Sequence, residues 1–296
     1  KGLYRVNLTT GGATLVGVAG AIVLARRLAR PVRYLAADAA QIAAGDLAHR
    51  ARVTRADEIG QLADAFNDMA RALEGSFGRL RKTLASFERF VPRKFLAVVA
   101  PEGIENIQVG TSATRTVAVL FSDIRGFTKL SEGMPAVKLY AMLNDYLERM
   151  GRAIDEAGGF VDKYIGDAIM ALFDDEHTDR LLDAILGMRR ELAAFNADRA
   201  AAGLPPIANG IGAHGGEVVM GTIGFASKIE STVIGDAVNV ASRVEGLTKD
   251  HGVAVLITDA VVARLRDPGK YRLRKLAAGV ALRGRLDPVD LYTVDD

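Results

Sequence analysis

Nine apolar residues, Ile59, Leu62, Phe66, Met69, Leu73, Phe77, Leu80, Leu84 and Phe87, recur with spacings of 3-4-3-4-4-3-4-3. Such spacing fits an α-helix, because a strand would scatter the same residues over both of its faces. It is a heptad seam with one additional step of four, a stutter, at Leu73–Phe77. An isolated helix leaves a seam of this length in water. A parallel dimer is the natural solution. The competing solution is an amphipathic helix packed on its own globular domain, but no nearby segment offers the opposite face.

Upstream, Leu8 to Ala25 carries no charge and consists mostly of Ala, Val, Gly, Leu and Ile. At about 1.5 Å per residue it spans roughly 27 Å, close to a bilayer core of about 30 Å. Ala13, Gly17 and Ala21 form a row of small residues suited to close helix packing in lipid. Arg26, Arg27, Arg30 and Arg33 follow, which points the C-terminal side to the cytoplasm. We read a membrane span at the cell (inner) membrane, against the alternative of a buried core helix. A signal peptide fits less well, because its basic residues would precede the apolar run. The chain opens on Lys1 rather than Met and reads as a piece of a longer protein, with any sensor region lying upstream. A net charge of +2 gives no global signal for nucleic acid, and the lack of cysteine excludes disulfides and thiolate metal sites.

Between span and seam, Pro31 suits the first turn of a new helix, and Val32, Leu35, Ala39 and Ile42 continue at helical spacing. Gly45 suits a left-handed cap, and Asp57-Glu58 opens the seam helix. Pro31, Gly-Asp-Leu (45–47), Asp-Glu-Ile-Gly (57–60) and Phe-Asn-Asp-Met (66–69) together resemble a HAMP domain, the linker after the last membrane helix of many bacterial receptors. That resemblance implies a parallel dimeric four-helix bundle that relays conformational change. We therefore divide the chain into a transmembrane helix (1–25), a HAMP domain (26–79), a coiled-coil or transducer linker (80–110) and a catalytic domain (111–296). In the linker, Phe90–Leu96 is an apolar patch broken by Pro92, either a transducing hinge or a packed connector.

From about Arg115 strands alternate with helices. Val117–Phe121 is an unbroken apolar run, expected of a central strand. Leu130–Ala157 reads as one helix, and Phe160–Ile165 with Ala168–Phe173 as a hairpin around Gly166-Asp167. Thr178–Ala201 is helical, and Ile207–His214 with Glu217–Gly221 reads as a second hairpin-like pair. Asp236–Lys249 is a helix with Asp236 as its N-cap; a strand, a short helix and closing strands follow. The expectation is an α+β sheet with helices on one face.

Four ordered motifs, Phe-Ser-Asp-Ile-Arg-Gly-Phe-Thr (121–128), Asp-Lys-Tyr-Ile-Gly-Asp (162–167), Gly-Ala-His-Gly-Gly (212–216) and Val-Ile-Gly-Asp-Ala-Val-Asn-Val-Ala-Ser-Arg (233–243), make residues 115–294 resemble the class III nucleotidyl cyclase catalytic domain. The resemblance implies a ferredoxin-like, palm-type fold that converts ATP to 3′,5′-cyclic AMP and pyrophosphate. By the same resemblance Asp123, Asp167 and the carbonyl of Ile124 would bind two Mg²⁺ or Mn²⁺ ions, chemistry for which paired carboxylates are suited. Backbone N–H groups of Gly126, Phe127 and Thr128 would cradle phosphate, and Arg283 would bind it. Lys163 and Thr232 would select adenine, since an ammonium donates to adenine N1 and meets a hydrogen on guanine N1. Asn239 and Arg243, four apart on one helix, match the transition-state pair. Gly210 stands where some relatives carry a further phosphate-binding arginine, and His214 is read as structural. The resemblance also implies a homodimer whose two sites each draw on both chains. The rival readings are a guanylate cyclase and a catalytically silent nucleotide-binding module.

Overall fold

The computed structural model describes residues 2–53, 55–87, 91–103, 107–225, 227–285 and 287–295. Phe90 and the side chain of Phe87 lie outside the described residues. Two compact units divide the chain, 1–87 and 88–296.

The first unit has helices α1 (Gly2–Ala43) and α2 (Glu58–Phe87). Among the described residues one helical stretch, Gly12–Ala43, is long and apolar enough to cross a membrane. Contrary to the expectation of a break, α1 runs straight through Pro31. Proline lacks the N–H that would bond the carbonyl four residues earlier, that of Arg27. The Arg55 guanidinium takes that place, donating from Nη1 to the Arg27 carbonyl at 2.9 Å. Arg55 is held in turn by Asp57, whose Oδ1 also accepts the Gly60 N–H at 3.2 Å. Gly60 leaves room for this turn: a β-carbon there would lie 2.7 Å from the Arg55 carbonyl carbon. Gly45 takes the left-handed φ of 104° expected after α1. Leu35, Ala51 and Ala63 form a small core with Val53, Ile59 and Phe66. Six further seam residues, Leu62, Met69, Leu73, Phe77, Leu80 and Leu84, are exposed.

The second unit opens with α3 (Arg93–Val99) and continues β1 (Ser112–Ile124), α4 (Phe127–Glu132), α5 (Ala136–Glu156), β2 (Phe160–Ile165), β3 (Ala168–Asp174), α6 (Asp179–Ala201) and β4 (Asn209–Phe225). Then come β5 (Lys228–Ile234), α7 (Asp236–Asp250), β6 (Val255–Thr258), α8 (Asp259–Val262), β7 (Arg272–Val280) and β8 (Val289–Asp295). The sheet order is β2-β3-β1-β4-β6-β8-β7, with β5 also pairing β4. The βαββαβ succession from β1 to β4, with sheet order 2-3-1-4, is the ferredoxin-like arrangement.

Helices cover both faces of this sheet, not one. Ala118, Leu120 and Ile124 of β1 face Tyr146, Met150 and Ile154 of α5 and Leu181, Ile185 and Met188 of α6. The alternate residues Val117 and Val119 face Phe95 and Val99 of α3 and Ala237 and Ala241 of α7. Two further boundaries differ from the sequence reading. The single expected helix after β1 splits at Gly133 and Pro135, because proline pushes its predecessor out of helical geometry and begins α5. The expected hairpin around Gly215-Gly216 is one continuous strand, β4. Neither glycine has a positive φ. They are small because neighbours press on them: a β-carbon at Gly216 would sit 2.9 Å from Ala237 Cβ, and one at Gly215 3.3 Å from the Ala260 carbonyl oxygen.

Candidate active site

Asp123 and Asp167 arrive from different parts of the sheet. Asp123 is the penultimate residue of β1, and Asp167 sits in the β2–β3 hairpin beside Gly166, whose φ of 66° makes the tight turn. Because β1 pairs with β3 up to Ser122↔Ile169, the strand end and the hairpin meet. The Ile124 N–H donates to Asp167 Oδ2 at 3.2 Å. Burial, and then the adjoining Asp123 carboxyl, push the Asp167 carboxyl up to about 6. The strand end is pinned from beneath by a buried network: Asn209 Nδ2 donates to the Tyr146 hydroxyl at 3.0 Å and to Ser122 Oγ at 3.3 Å.

After the acids, Gly126 adopts φ 67° and caps α4 without a side-chain hydrogen bond. Phe127 packs its ring against the main core, and Thr128 is exposed. This leaves the first-turn N–H groups of α4 beside the acid pair in sequence.

Among the described residues no cluster of three or more His, Cys, Asp or Glu side chains suits a metal ion. Two converging carboxylates and a strand-end carbonyl nevertheless fit a hard cation that completes its shell with water and phosphate oxygens. The donor set carries that fit: the two carboxylates adjoin, so each charge raises the cost of the other until a cation joins them.

Lys163 and Thr232 also converge, although they lie on strands at different places in the sheet. Lys163 Nζ donates to the carbonyl of Ser231, next to Thr232, at 3.2 Å. Asn239 and Arg243 project from α7 opposite its buried stripe of Ala237, Val240, Ala241 and Val244. Arg243 lies against the turn that carries Arg283: a β-carbon at Gly284 would be 3.7 Å from Arg243 Nη2. Arg283 itself is exposed. The residues thus form three groups: the acid pair, the Lys163–Thr232 pair, and Asn239 with Arg243 and Arg283. Among the described residues no hydrogen bond or ion pair links the acid pair to Asn239 or Arg243.

A glycine track places α7. Gly210, Gly212 and Gly216 share the β4 face beneath it, and a β-carbon at Gly212 would overlap the backbone of Glu245 and come within 2.7 Å of the Ala241 carbonyl oxygen. The Gly-Ala-His-Gly-Gly motif is therefore a packing device. Gly210 has a second consequence. The space for its side chain is taken by the Glu245 carboxyl and by Thr248 Oγ1, which would be 2.5 Å from a β-carbon. Sequence reasoning missed Glu245, whose carboxyl is pushed up to about 7 by burial and by the Asp123 charge. Its one trace in the sequence is Gly210, which the structure pairs opposite Asp123. Asp236 is not the N-cap of α7: Gly235 is, and Asp236 lies 3.5 Å from Arg285 Nε instead.

His214 is buried, with Nδ1 2.8 Å from Thr258 Oγ1. Burial first, then the Arg285 charge, lower its pKa from 6.5 to about 4; Arg264 acts the same way, and Asp236 and Asp259 oppose. The folded state therefore binds fewer protons here than the unfolded chain. The stability that neutral His214 supports is complete above its unfolded pKa of about 6.5 and is lost as pH falls towards about 4. Denaturant melts at pH 7 and pH 5 should differ by on the order of 1 kcal/mol per pH unit through this group. His214→Asn should flatten that slope; an unaltered slope would remove His214 from the account.

The family model for the adenylate and guanylate cyclase catalytic domain matches residues 109–295, and that for the HAMP domain matches 23–75. The chain belongs to the class III nucleotide cyclases. This cyclase is 53% identical to an adenylate cyclase of Anabaena cylindrica over 99% of its own length and 61% of that protein's. The chain thus spans about three fifths of that relative. Among solved structures, a bacterial light-regulated adenylyl cyclase matches with a TM-score of 0.65 at 27% identity, covering 77% of this chain and 64% of that one. An adenylyl cyclase from P. aeruginosa matches with 0.57 at 28% identity, covering 62% of this chain and 96% of that one.

Proposed function

We propose that this cyclase is a membrane-anchored adenylate cyclase converting ATP to 3′,5′-cyclic AMP and pyrophosphate. The observation that carries the reading is the meeting of Asp123 and Asp167 at one end of the sheet, with Asp167 pushed up to about 6. Two divalent ions, Mg²⁺ or Mn²⁺, would be held by Asp123, Asp167 and the Ile124 carbonyl, and when bound they supply charge neutralisation and acidify the ribose 3′-hydroxyl. The 3′-oxygen loses its proton and attacks the α-phosphorus in line; the bond to the pyrophosphate oxygen breaks. First-turn N–H groups of Gly126, Phe127 and Thr128 hold phosphate oxygens, and Arg283 adds charge. Arg243 donates to the charge developing on the α-phosphate, and Asn239 orients the ribose. Lys163 and Thr232 read the purine edge.

The three groups belong to a homodimer in this reading: one chain supplies the acids, its partner the base-reading and transition-state residues, so a two-fold dimer owns two complete sites. Two surfaces await such a partner. One is the exposed seam of α2; the other includes Ile223, Phe225, Ile229 and Ile234 along the β4–β5 hairpin. The Gly12–Ala43 helix would anchor the chain in the cell membrane, with the catalytic domain in the cytoplasm. The HAMP unit would regulate the catalytic halves, with the boundaries given above.

Incubating the purified chain with ATP or GTP and Mg²⁺ or Mn²⁺ tests the assignment. Cyclic AMP should form from ATP, with a preference over GTP of about tenfold or more in kcat/KM. Binding of ATP without product would replace the enzyme by a silent module, and preference for GTP would make it a guanylate cyclase.

A further inference from the structure

The β2–β3 register skips one residue: Val161 pairs with Ala171 and Lys163 with the next residue, Met170. Asp162 is therefore the additional residue of a β-bulge, a device that re-aims side chains beside working sites. Its side chain is fully buried, with 0% exposure, and neither carboxyl oxygen has a hydrogen-bond partner among the described residues. The nearest charge is its own neighbour, with Lys163 Nζ 3.4 Å from Asp162 Oδ2. Burial pushes the Asp162 carboxyl upward, and the ammonium opposes this.

An acid in that position costs folding free energy instead of supplying it. The bulge adds a further irregularity to an otherwise regular hairpin. What the two together achieve is the setting of one ammonium. Lysine has three N–H donors and no fixed plane, so left to itself it is a swinging point charge. Here the Ser231 carbonyl takes one donor at 3.2 Å, and the Asp162 carboxylate draws the ammonium as a charge 3.4 Å away, without a hydrogen bond. Two donors are left over, and the Lys163 side chain is still 36% exposed.

We propose that Asp162 is a positioning residue for purine selection: from the bulge its charge holds the Lys163 ammonium against the Ser231 carbonyl, so that a free N–H meets a ring acceptor such as adenine N1. The proposal rests on the reading of Lys163 as the base-reading lysine. It adds that the discrimination belongs to the Asp162–Lys163 pair. A loose lysine would still attract nucleotide but would read its edge poorly.

The test is a double-mutant cycle on the full chain in detergent, with Asp162→Asn, Lys163→Met and the pair together. Each is read by kcat and KM for ATP and GTP and by melting temperature. Asp162→Asn should raise KM for ATP about tenfold with kcat changed less than about twofold, and cut the ATP-over-GTP preference about tenfold. Its melting temperature should hold or rise, because a poorly partnered buried charge has gone. Asp162→Ser should behave alike. In the Lys163→Met background Asp162→Asn should change selectivity no further. The idea is overturned if the active wild type and Asp162→Asn agree within about twofold in KM and selectivity. It is equally overturned if the selectivity loss persists without Lys163, or if Asp162→Asn acts only by lowering the melting temperature. Should the wild type cyclise no nucleotide, the functional reading fails on its own; the same cycle read by calorimetric binding of ATP and GTP then decides the role of Asp162.

Discussion

Asp123→Ala should abolish cyclisation, and Arg243→Ala should lower turnover about 10²–10³-fold, yet a mixture of the two dead chains should work. The reason is that, among the described residues, no hydrogen bond or ion pair joins the acid pair to Asn239 or Arg243 within one chain. If each site takes its acids from one subunit and its arginine from the other, a heterodimer of the two variants has one site with both defects and one with neither. With random pairing half of the dimers are mixed, and each has one intact site. Co-expression should therefore recover about a quarter of wild-type activity. Recovery below a few per cent would mean that each chain completes its own site, and the dimeric mechanism would fall. The readout is cyclic AMP formed from ATP by the mixed population, compared with each variant alone.

The largest effect expected on stability is at Gly212. A side chain there would drive into the Glu245 backbone and towards the Ala241 carbonyl, so α7 would have to lift from β4. Overpacking a core ordinarily costs about 1–3 kcal/mol, and here the obstacle is main chain, which cannot rotate aside. Gly212→Val should cost at least about 3 kcal/mol, a fall in melting temperature of roughly 10 °C for a domain of this size. Residual activity should fall further than the folded fraction, because Asn239 and Arg243 ride on the displaced helix. Gly246 provides the control on the same helix. A β-carbon there meets nothing within 4 Å. Gly246→Ala should stabilise the domain by about 0.5–1 kcal/mol. If both substitutions proved neutral, the close seating of α7 on β4 would be wrong.

The contrast between these glycines shows where the sequence stops being informative. Gly126 and Gly166 were legible as turn residues because each follows a strand and both need a positive φ. Gly215-Gly216 looked the same on paper, yet they lie mid-strand and make room for Ala237 and Ala260. A glycine kept for its backbone angle and one kept for its missing side chain are the same letter. Pro31 misled for a related reason. Its cost to a helix can be met by a donor from elsewhere, and Arg55, 24 positions on, is that donor.

Apolar patterning fared better. Val117–Phe121 announced a central strand, and β1 has β3 on one side and β4 on the other. The same patterning ran smoothly across Gly133 and Pro135 and hid the break between α4 and α5. At the candidate site, Asp123 and Asp167 could be singled out because an acid at the edge of an apolar strand has no evident folding reason to be there, and the structure brings the two together. Asp162 and Glu245 could not, since a buried acid and a solvated one are indistinguishable until the neighbouring elements are in place.

The closure of α1 by Arg55 divides the two positions it joins into unequal classes. The Arg27 contribution is a peptide oxygen, which every amino acid possesses, so this contact tolerates any substitution at 27. At 55 only a long side chain with a donor at its tip will serve. Putting alanine at 31 would let α1 bond its own oxygen and become the more regular helix, while leaving the guanidinium competing for an acceptor already occupied. A gain in local order would thus sever the long-distance tie, and in this chain the imperfection is what fastens one segment to the next.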